Sequence, residues 1–315
     1  MSFLPPASPN QTHVTVSPIP GGFITLSDHF FVHPAEEGAK RTVPSLTFLI
    51  QHPGGRNNNA VQSIGNPTGN AKPINMMFDL GLRKAQSRYP THMQKHIDGR
   101  APFNLEPGVA AQLLTGGLSP AEIDLVMLSH VHYDHHGDPE DFPRARFLLG
   151  NGALKVLKEG LGGIASHQHF EPDTLPDDRT EELPDPTTTG DWKPLGPFPA
   201  TLDLFRDQSV YVIDTPGHLP GHLNLLCRTE NKWILLCGDA FHDRRLLTGE
   251  KEIGTWEAPG GNGRLCIHLD REAAEKSILR LREFDERTGD ACELIAAHEE
   301  VWWEEHRHLA FPGRL

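Results

Sequence analysis

Residues 128–138 read LSHVHYDHHGD and directly follow the apolar run IDLVM at 123–127. Four histidines and two aspartates thus occupy nine positions where a β-strand should end. They resolve as His130-x-His132-x-Asp134-His135. Imidazole nitrogen and carboxylate oxygen suit Zn²⁺, Fe²⁺ or Mn²⁺. In a turn after a strand, the alternating pair His130 and His132 can face one point. Asp134 and His135 can face a second point a few ångström away, with a following helix as a rigid base. An exposed polar loop would not account for these residue types at i, i+2, i+4 and i+5.

Further donors are expected at the ends of other strands. SVYVIDTPGH reaches His218, KWILLCGD ends in Asp239, and ELIAAH ends in His298. Each follows an apolar run that would carry it to one edge of a sheet. Together with the histidine-rich turn, these strand ends predict a metal site.

Outward from the turn, strands are predicted at 21–27, 44–52, 74–81, 122–130 and 145–150, with helices near 106–115 and 151–161. The run PSLTFLIQH at 44–52 is almost unbroken in its apolar residues, as in a strand covered on both faces. Residues 1–20 carry five prolines and read as an extended arm or an edge strand. Gly, Asn and Pro dominate 54–73, a predicted long loop. Residues 171–200 hold seven prolines and many acids, as a linker between halves or a lid would. Strands resume at 201–207, 209–215, 222–228, 232–239 and 293–299. Apolar residues at 274, 278, 281 and 284 predict a helix over 270–284, and a last helix follows His298. Strand-rich halves, each closing with helices, predict an α/β sandwich of two sheets with helices outside.

The 315 residues carry 42 acidic and 29 basic side chains, a net charge of −13. Such a surface repels phosphate backbones and argues against a nucleic-acid partner. No apolar run approaches the ~20 residues of a membrane span. The start MSFLPPASPNQTH has neither the basic nor the apolar region of a secretory signal, so a cytoplasmic protein is expected. Cys227, Cys237, Cys266 and Cys292 are isolated and suggest neither a disulfide framework nor a thiolate zinc site. The expected partner is a small-molecule substrate, met by one chain or by a homodimer.

With these motifs in hand, the chain resembles the metallo-β-lactamase superfamily, specifically its HxHxDH hydrolases. The resemblance runs through PSLTFLI, MMFDLG, HVHYDHHG, TPGHLPGH, GDAFH and AAHE. It implies one αββα-sandwich domain over 1–315 with the metals at one edge of the paired sheets. It also implies two divalent ions, zinc first and manganese or iron as substitutes. One ion would lie on His130, His132 and His218, the other on Asp134, His135 and His298, with Asp239 bridging. Water between two such ions becomes a hydroxide nucleophile, and one ion polarises the substrate carbonyl. Asp134 could orient the nucleophile or carry its proton to the leaving group.

Asp79, in the family's Asp-x-Gly turn with Gly81, is expected to buttress the metal loop rather than to ligate. His222 is expected to support the site from behind. His136 should turn away, and His167 and His169 should lie on a surface loop. His242 stands three residues beyond Asp239, where some lactonases of the superfamily have a tyrosine that donates to the substrate carbonyl. It could act as that donor or serve structure alone. Trp302 and Trp303 are expected in the core. Of the family's branches, the lactone- or γ-lactam-opening hydrolases fit best. A glyoxalase-II-like thioesterase, a mononuclear iron sulfur dioxygenase and a non-catalytic sensor are the other readings.

Overall fold

The apolar runs resolve into two six-stranded mixed sheets in a computed structural model of the chain, which describes residues 3–54, 72–161, 170–188, 190–258, 260–261 and 263–315. Most of the loop expected at 54–73 lies outside these residues, as do His167 and His169. The first sheet contains β1 (Thr15–Ser27), β2 (Lys40–His52), β3 (Ile74–Phe78), β4 (Leu125–Met127), β5 (Arg146–Leu149) and β6 (Thr180–Glu182) in that order. Strands β1 to β3 pair antiparallel and β3 to β6 parallel. The second sheet contains β7 (Lys193–Leu195), β8 (Phe198–Asp203), β9 (Val210–Asp214), β10 (Leu223–Arg228), β11 (Trp233–Leu236) and β12 (Cys292–Ile295), again in order. Its pairs are antiparallel except β11 with β12.

Alternation along the strands explains why the runs look unbroken. On β2, Phe48 and Ile50 join the core between the sheets, while Leu49 packs in the outer layer. On β10, Leu223, Leu225 and Cys227 face inward and Leu226 outward. Both faces are covered, so both registers must be apolar. Helices α2 (Val109–Thr115) and α3 (Ala153–Glu159) cover the first sheet, placing Val109, Leu113, Ala153 and Val156 against Leu49, Met77 and Phe147. Helix α5 (Arg271–Thr288) covers the second with Ala274, Ile278, Leu281 and Phe284, the spacing read from the sequence. The result is the expected αββα sandwich. Trp302 and Trp303, on α6 (Glu300–His306), are buried in the core between the sheets.

The end of the Pro-rich start takes the edge-strand form, as part of β1 at the edge of its sheet, where the missing N–H groups of Pro18 and Pro20 are tolerated. Residues 171–200 join the two sheets and give each an edge strand, β6 and β7. The helix expected directly after the histidine-rich turn is a single 3₁₀ turn, Pro139–Asp141. Asp138 replaces it as an anchor, accepting from Lys84 N at 2.8 Å and pairing with Arg88 at 3.0 Å. Helix α1 (Thr91–Asp98) was not legible in the sequence. No helix among the described residues is long and apolar enough to cross a membrane.

Strand direction positions the site. Strands β9, β11 and β12 run the same way, as do β3 and β4, so their C-terminal ends reach one edge of the sandwich. The sheets are stitched there by Leu46 N to Ala297 O and Leu223 N to Ser129 O, both 2.9 Å. Gly238, at φ +49°, sits where a Cβ would come within 2.6 Å of Ser129 Cβ, so only glycine lets Asp239 approach the histidine turn.

Candidate metal centre

The first histidine of the turn, His130, stands three residues beyond the end of β4, and the turn is fastened to the one after β3. Leu80 N donates to His135 O and Gly137 N to Gly81 O, both at 2.8 Å. Asp79 adopts φ +61°, which turns its carboxylate into the loop. Its Oδ1 accepts from Ser129 N at 2.6 Å, and its Oδ2 meets Ser129 Oγ at 2.7 Å and His135 Nδ1 at 2.8 Å. Asp79 thus ties the turn after β3 to Ser129 and His135.

All seven expected donors are buried, none more than 7 % exposed, so bulk water cannot satisfy them. They converge on two neighbouring points. His130 Nε2 and His218 Nε2 both approach His132 Nδ1, at 2.8 and 3.0 Å. An imidazole nitrogen offers one in-plane proton or one lone pair, so it cannot serve both neighbours. Asp239 Oδ2 faces the same cluster, 3.4 Å from His218 Nε2 and 3.8 Å from His130 Nε2. Its Oδ1 faces the other way, 3.2 Å from His135 Nε2 and 3.3 Å from His298 Nε2. Asp134 Oδ2 completes that side, 3.6 Å from His298 Nε2.

Donors held about 2.0–2.1 Å from a tetrahedral zinc stand roughly 3.4 Å apart. The observed spacings lie around that value. Among the described residues, His135 Nε2 and Asp239 Oδ1 are buried without hydrogen-bond geometry to any partner. The residues therefore fit divalent cations on both sides of Asp239.

Charge is distributed to match. Burial, reinforced by the neighbouring histidines, holds His130 and His218 well below the usual imidazole range, leaving lone pairs for a ligand. Burial also opposes a charge on His135, but Asp239 and Asp79 outweigh it and favour the cationic form. Burial would neutralise Asp239, yet His135, His298 and His242 keep its carboxylate well below its ordinary range.

The outer nitrogens are held in turn. His298 Nδ1 meets Pro44 O at 2.8 Å and His130 Nδ1 meets Ser129 Oγ at 3.0 Å. His218 Nδ1 lies 3.3 Å from His268 Nδ1, a contact the sequence reading missed. Fixing the outer nitrogen sets ring orientation and tautomer. His222 sits behind Asp239, its Nε2 accepting from Asp239 N at 3.1 Å and its Nδ1 held by Thr215 Oγ1 at 2.9 Å. Burial pushes it down to about 4, which keeps the acceptor nitrogen unprotonated. His136 turns away, with Nδ1 3.0 Å from Gly137 O.

His242 enters the centre. Its Nε2 lies 3.1 Å from Asp239 Oδ2, and its buried Nδ1 has no hydrogen-bond partner among the described residues. The next residue, Asp243, caps helix α4 (Arg244–Thr248) by accepting from Arg245 N at 2.8 Å. Arg244 clamps Glu299 with two 2.7 Å contacts, tying this segment to the residue after His298. The centre opens into a cavity of about 30 Å³ whose other walls include Leu26, Phe31, Arg100, Tyr133 and Ile267. Tyr133 also walls a neighbouring cavity of about 280 Å³, lined by Arg83, Tyr89, Met93, His136 and Phe170. Arg100 ends no apolar run and His268 only the three-residue run LCI at 265–267, too short to read as a strand end.

Comparison with known proteins adds the family context. The mpaDE monooxygenase of Penicillium roqueforti is 26 % identical over 323 residues, covering 94 % of this chain but 35 % of that protein, so the chain spans little more than a third of it. A gamma-lactamase of Gibberella moniliformis is 32 % identical over 172 residues, 53 % of this chain and 70 % of the relative. The N-acyl homoserine lactonase AttM of Rhizobium radiobacter is 26 % identical over 84 % of this chain and 86 % of its own. A solved N-acyl homoserine lactone hydrolase, with N-hexanoyl-L-homoserine at its catalytic metal centre, aligns with TM-score 0.65 and 17 % identity. That alignment covers 97 % of this chain and 100 % of the other and speaks for the fold. A family model described as the Metallo-beta-lactamase superfamily matches residues 100–298. That match covers more than half of the chain and closes on the last strand-end donor, His298; the chain belongs to the metallo-β-lactamase superfamily.

Proposed function

We propose that the chain is a dinuclear metal-dependent hydrolase that opens a cyclic ester or cyclic amide, a lactone or γ-lactam, with water. Asp239 carries this reading, because its two oxygens address two separate donor clusters. Likeness to a gamma-lactamase and to an N-acyl homoserine lactonase supports the ring substrate. His130, His132 and His218 would hold one ion, Asp134, His135 and His298 the other, with Asp239 shared. Zinc suits this set, and manganese or iron(II) would also fit it. Bound there, such ions would acidify water toward neutral pH and polarise the scissile carbonyl.

The chain's own groups complete the chemistry. Asp134, in the cavity wall, accepts the proton released as water adds to the carbonyl carbon. The ring C–O or C–N bond then breaks, and the proton passes to the leaving oxygen or nitrogen. His242 presents Nε2 to the centre and donates to the carbonyl oxygen or to a leaving nitrogen. Leu26, Phe31 and Ile267 supply the apolar wall that limits competing water.

The test is incubation of zinc-loaded protein with acyl-homoserine lactones, aryl γ-lactams, cyclic carbamates and acyl thioesters, read by mass spectrometry. Gain of one water by a lactone or lactam, with two metal ions per chain, is expected. Turnover of thioesters alone would replace the ring reading with a thioesterase. No product at full zinc loading, or one ion per chain in the active form, would overturn the proposal.

A further inference from the structure

Arg100 follows helix α1 and is half-buried in the wall of the metal cavity, beside Tyr133 and Asp134. Its Nε donates to His96 Nε2 at 3.3 Å, and its charge opposes the rise that burial imposes on the neighbouring Tyr133 phenol. Neither neighbour carries negative charge. Among the described residues no carboxylate lies within 4.0 Å of the guanidinium, and the residues outside that set include no Asp or Glu. Several other guanidinium groups are paired with carboxylates, while the buried Arg228 rests on backbone carbonyls and the Trp233 ring. Arg88 reaches Asp138 at 3.0 Å and Arg41 reaches both Asp28 and Asp243 at 2.8 Å. The carboxylates of the cavity itself, Asp134 and Asp239, face histidines instead.

A guanidinium offers five N–H donors in a planar fork matched to a carboxylate. Arg100 therefore brings donors that no carboxylate within 4.0 Å takes up to a cavity whose apolar wall is Leu26, Phe31 and Ile267 and whose other walls include Asp134, Asp239 and the site's histidines. We propose that Arg100 anchors a carboxylate carried by the substrate, so that the preferred substrate is an anionic lactone or lactam rather than a neutral one. The inference rests on the ring-opening reading for its substrate, but not for its anion. The fork takes the carboxylate while the apolar wall takes the ring and the scissile carbonyl turns toward the metal donors. Arg100 is thus a specificity-determining residue.

The probes are γ-butyrolactone and 2-pyrrolidinone bearing a carboxylate on a ring carbon, each beside the same ring bearing a primary carboxamide. Carboxylates at the β and γ carbons are both tried. For the zinc-loaded wild type, kcat/KM for the better carboxylate isomer should exceed that for its carboxamide by about tenfold or more, mostly through KM. In Arg100→Gln the ratio should fall to near one, and Arg100→Lys should keep part of it. Equal loss for carboxylate and carboxamide would assign Arg100 to the carboxylate formed on ring opening, or to the fold, and overturn the proposal. So would an unchanged ratio in the glutamine variant, or no preference in the wild type. Calorimetric titration of the same pairs reads the anion preference without turnover. If no ring opens, the hydrolase reading fails, while a carboxylate preference lost in Arg100→Gln still upholds the anion site.

Discussion

The two sides of Asp239 are built from different chemistry. One side gathers His130, His132 and His218, and the outer nitrogens of His130 and His218 rest on a hydroxyl and on another imidazole. The other side sets His135 and His298 beside Asp134, with Asp79 behind His135. On the first, burial and mutual repulsion keep His130 and His218 neutral. On the second, carboxylates front and back overcome burial and favour positive charge on His135. Asp239 lends its charge to both sides; beyond it, a cation is drawn to the second side by the further carboxylates Asp134 and Asp79 and to the first by lone pairs. The carboxylate side should hold its ion more tightly.

The largest effect should come from removing what the two sides share. Asp239→Ala should lose both ions on dialysis and lower turnover on the order of a thousandfold, with the far-UV spectrum retained. His132→Ala should instead strip only the imidazole side, leaving one ion per chain by elemental analysis. Loss of both ions from the histidine variant would show that the sides do not bind independently.

Smaller changes behind the ligands sharpen the same contrast. Asp79→Asn keeps a residue that tolerates the left-handed backbone at φ +61° but removes the charge behind His135. Its second ion should bind about 10–100-fold more weakly in chelator competition. His268→Ala removes only an imidazole behind His218 and should weaken binding a few-fold at most. If the histidine variant lost more affinity than the aspartate variant, formal charge would not be what separates the sides.

What could be read from the sequence follows from the same physics. A strand covered on both faces carries an almost unbroken apolar run, so β2, β10 and β11 stood out, and the donors at the strand ends with them. Edge strand β6, Thr180–Glu182, has no apolar residue at all; parallel pairing with β5 alone makes it a strand. Helix α1 buries only Met93 and Ile97, too few to show a period. Arg100 and His268 reach the centre through tertiary packing of segments after α1 and before α5. Nothing in their neighbours' spacing marks them.

A carboxylate away from the centre tests whether histidines, rather than burial, keep Asp239 ionised. Asp214, at the end of β9, is largely buried, with Arg280 giving partial relief, and burial pushes it up to about 6. Burial thus acts on Asp214 with the sign it would have at Asp239 were the histidines not there. Because the folded value is raised, the stability linked to its proton is full below the unfolded value near 4 and is lost as pH rises through about 6. Asp214→Asn should therefore be more stable than wild type at pH 7.5, by roughly 1–2 kcal/mol after allowance for partial exposure. The difference should shrink steadily toward pH 4 in urea denaturation at matched metal content. A gain of equal size at both ends of that range would mean that side-chain packing, and not the cost of a buried charge, separates Asp214 from Asp239.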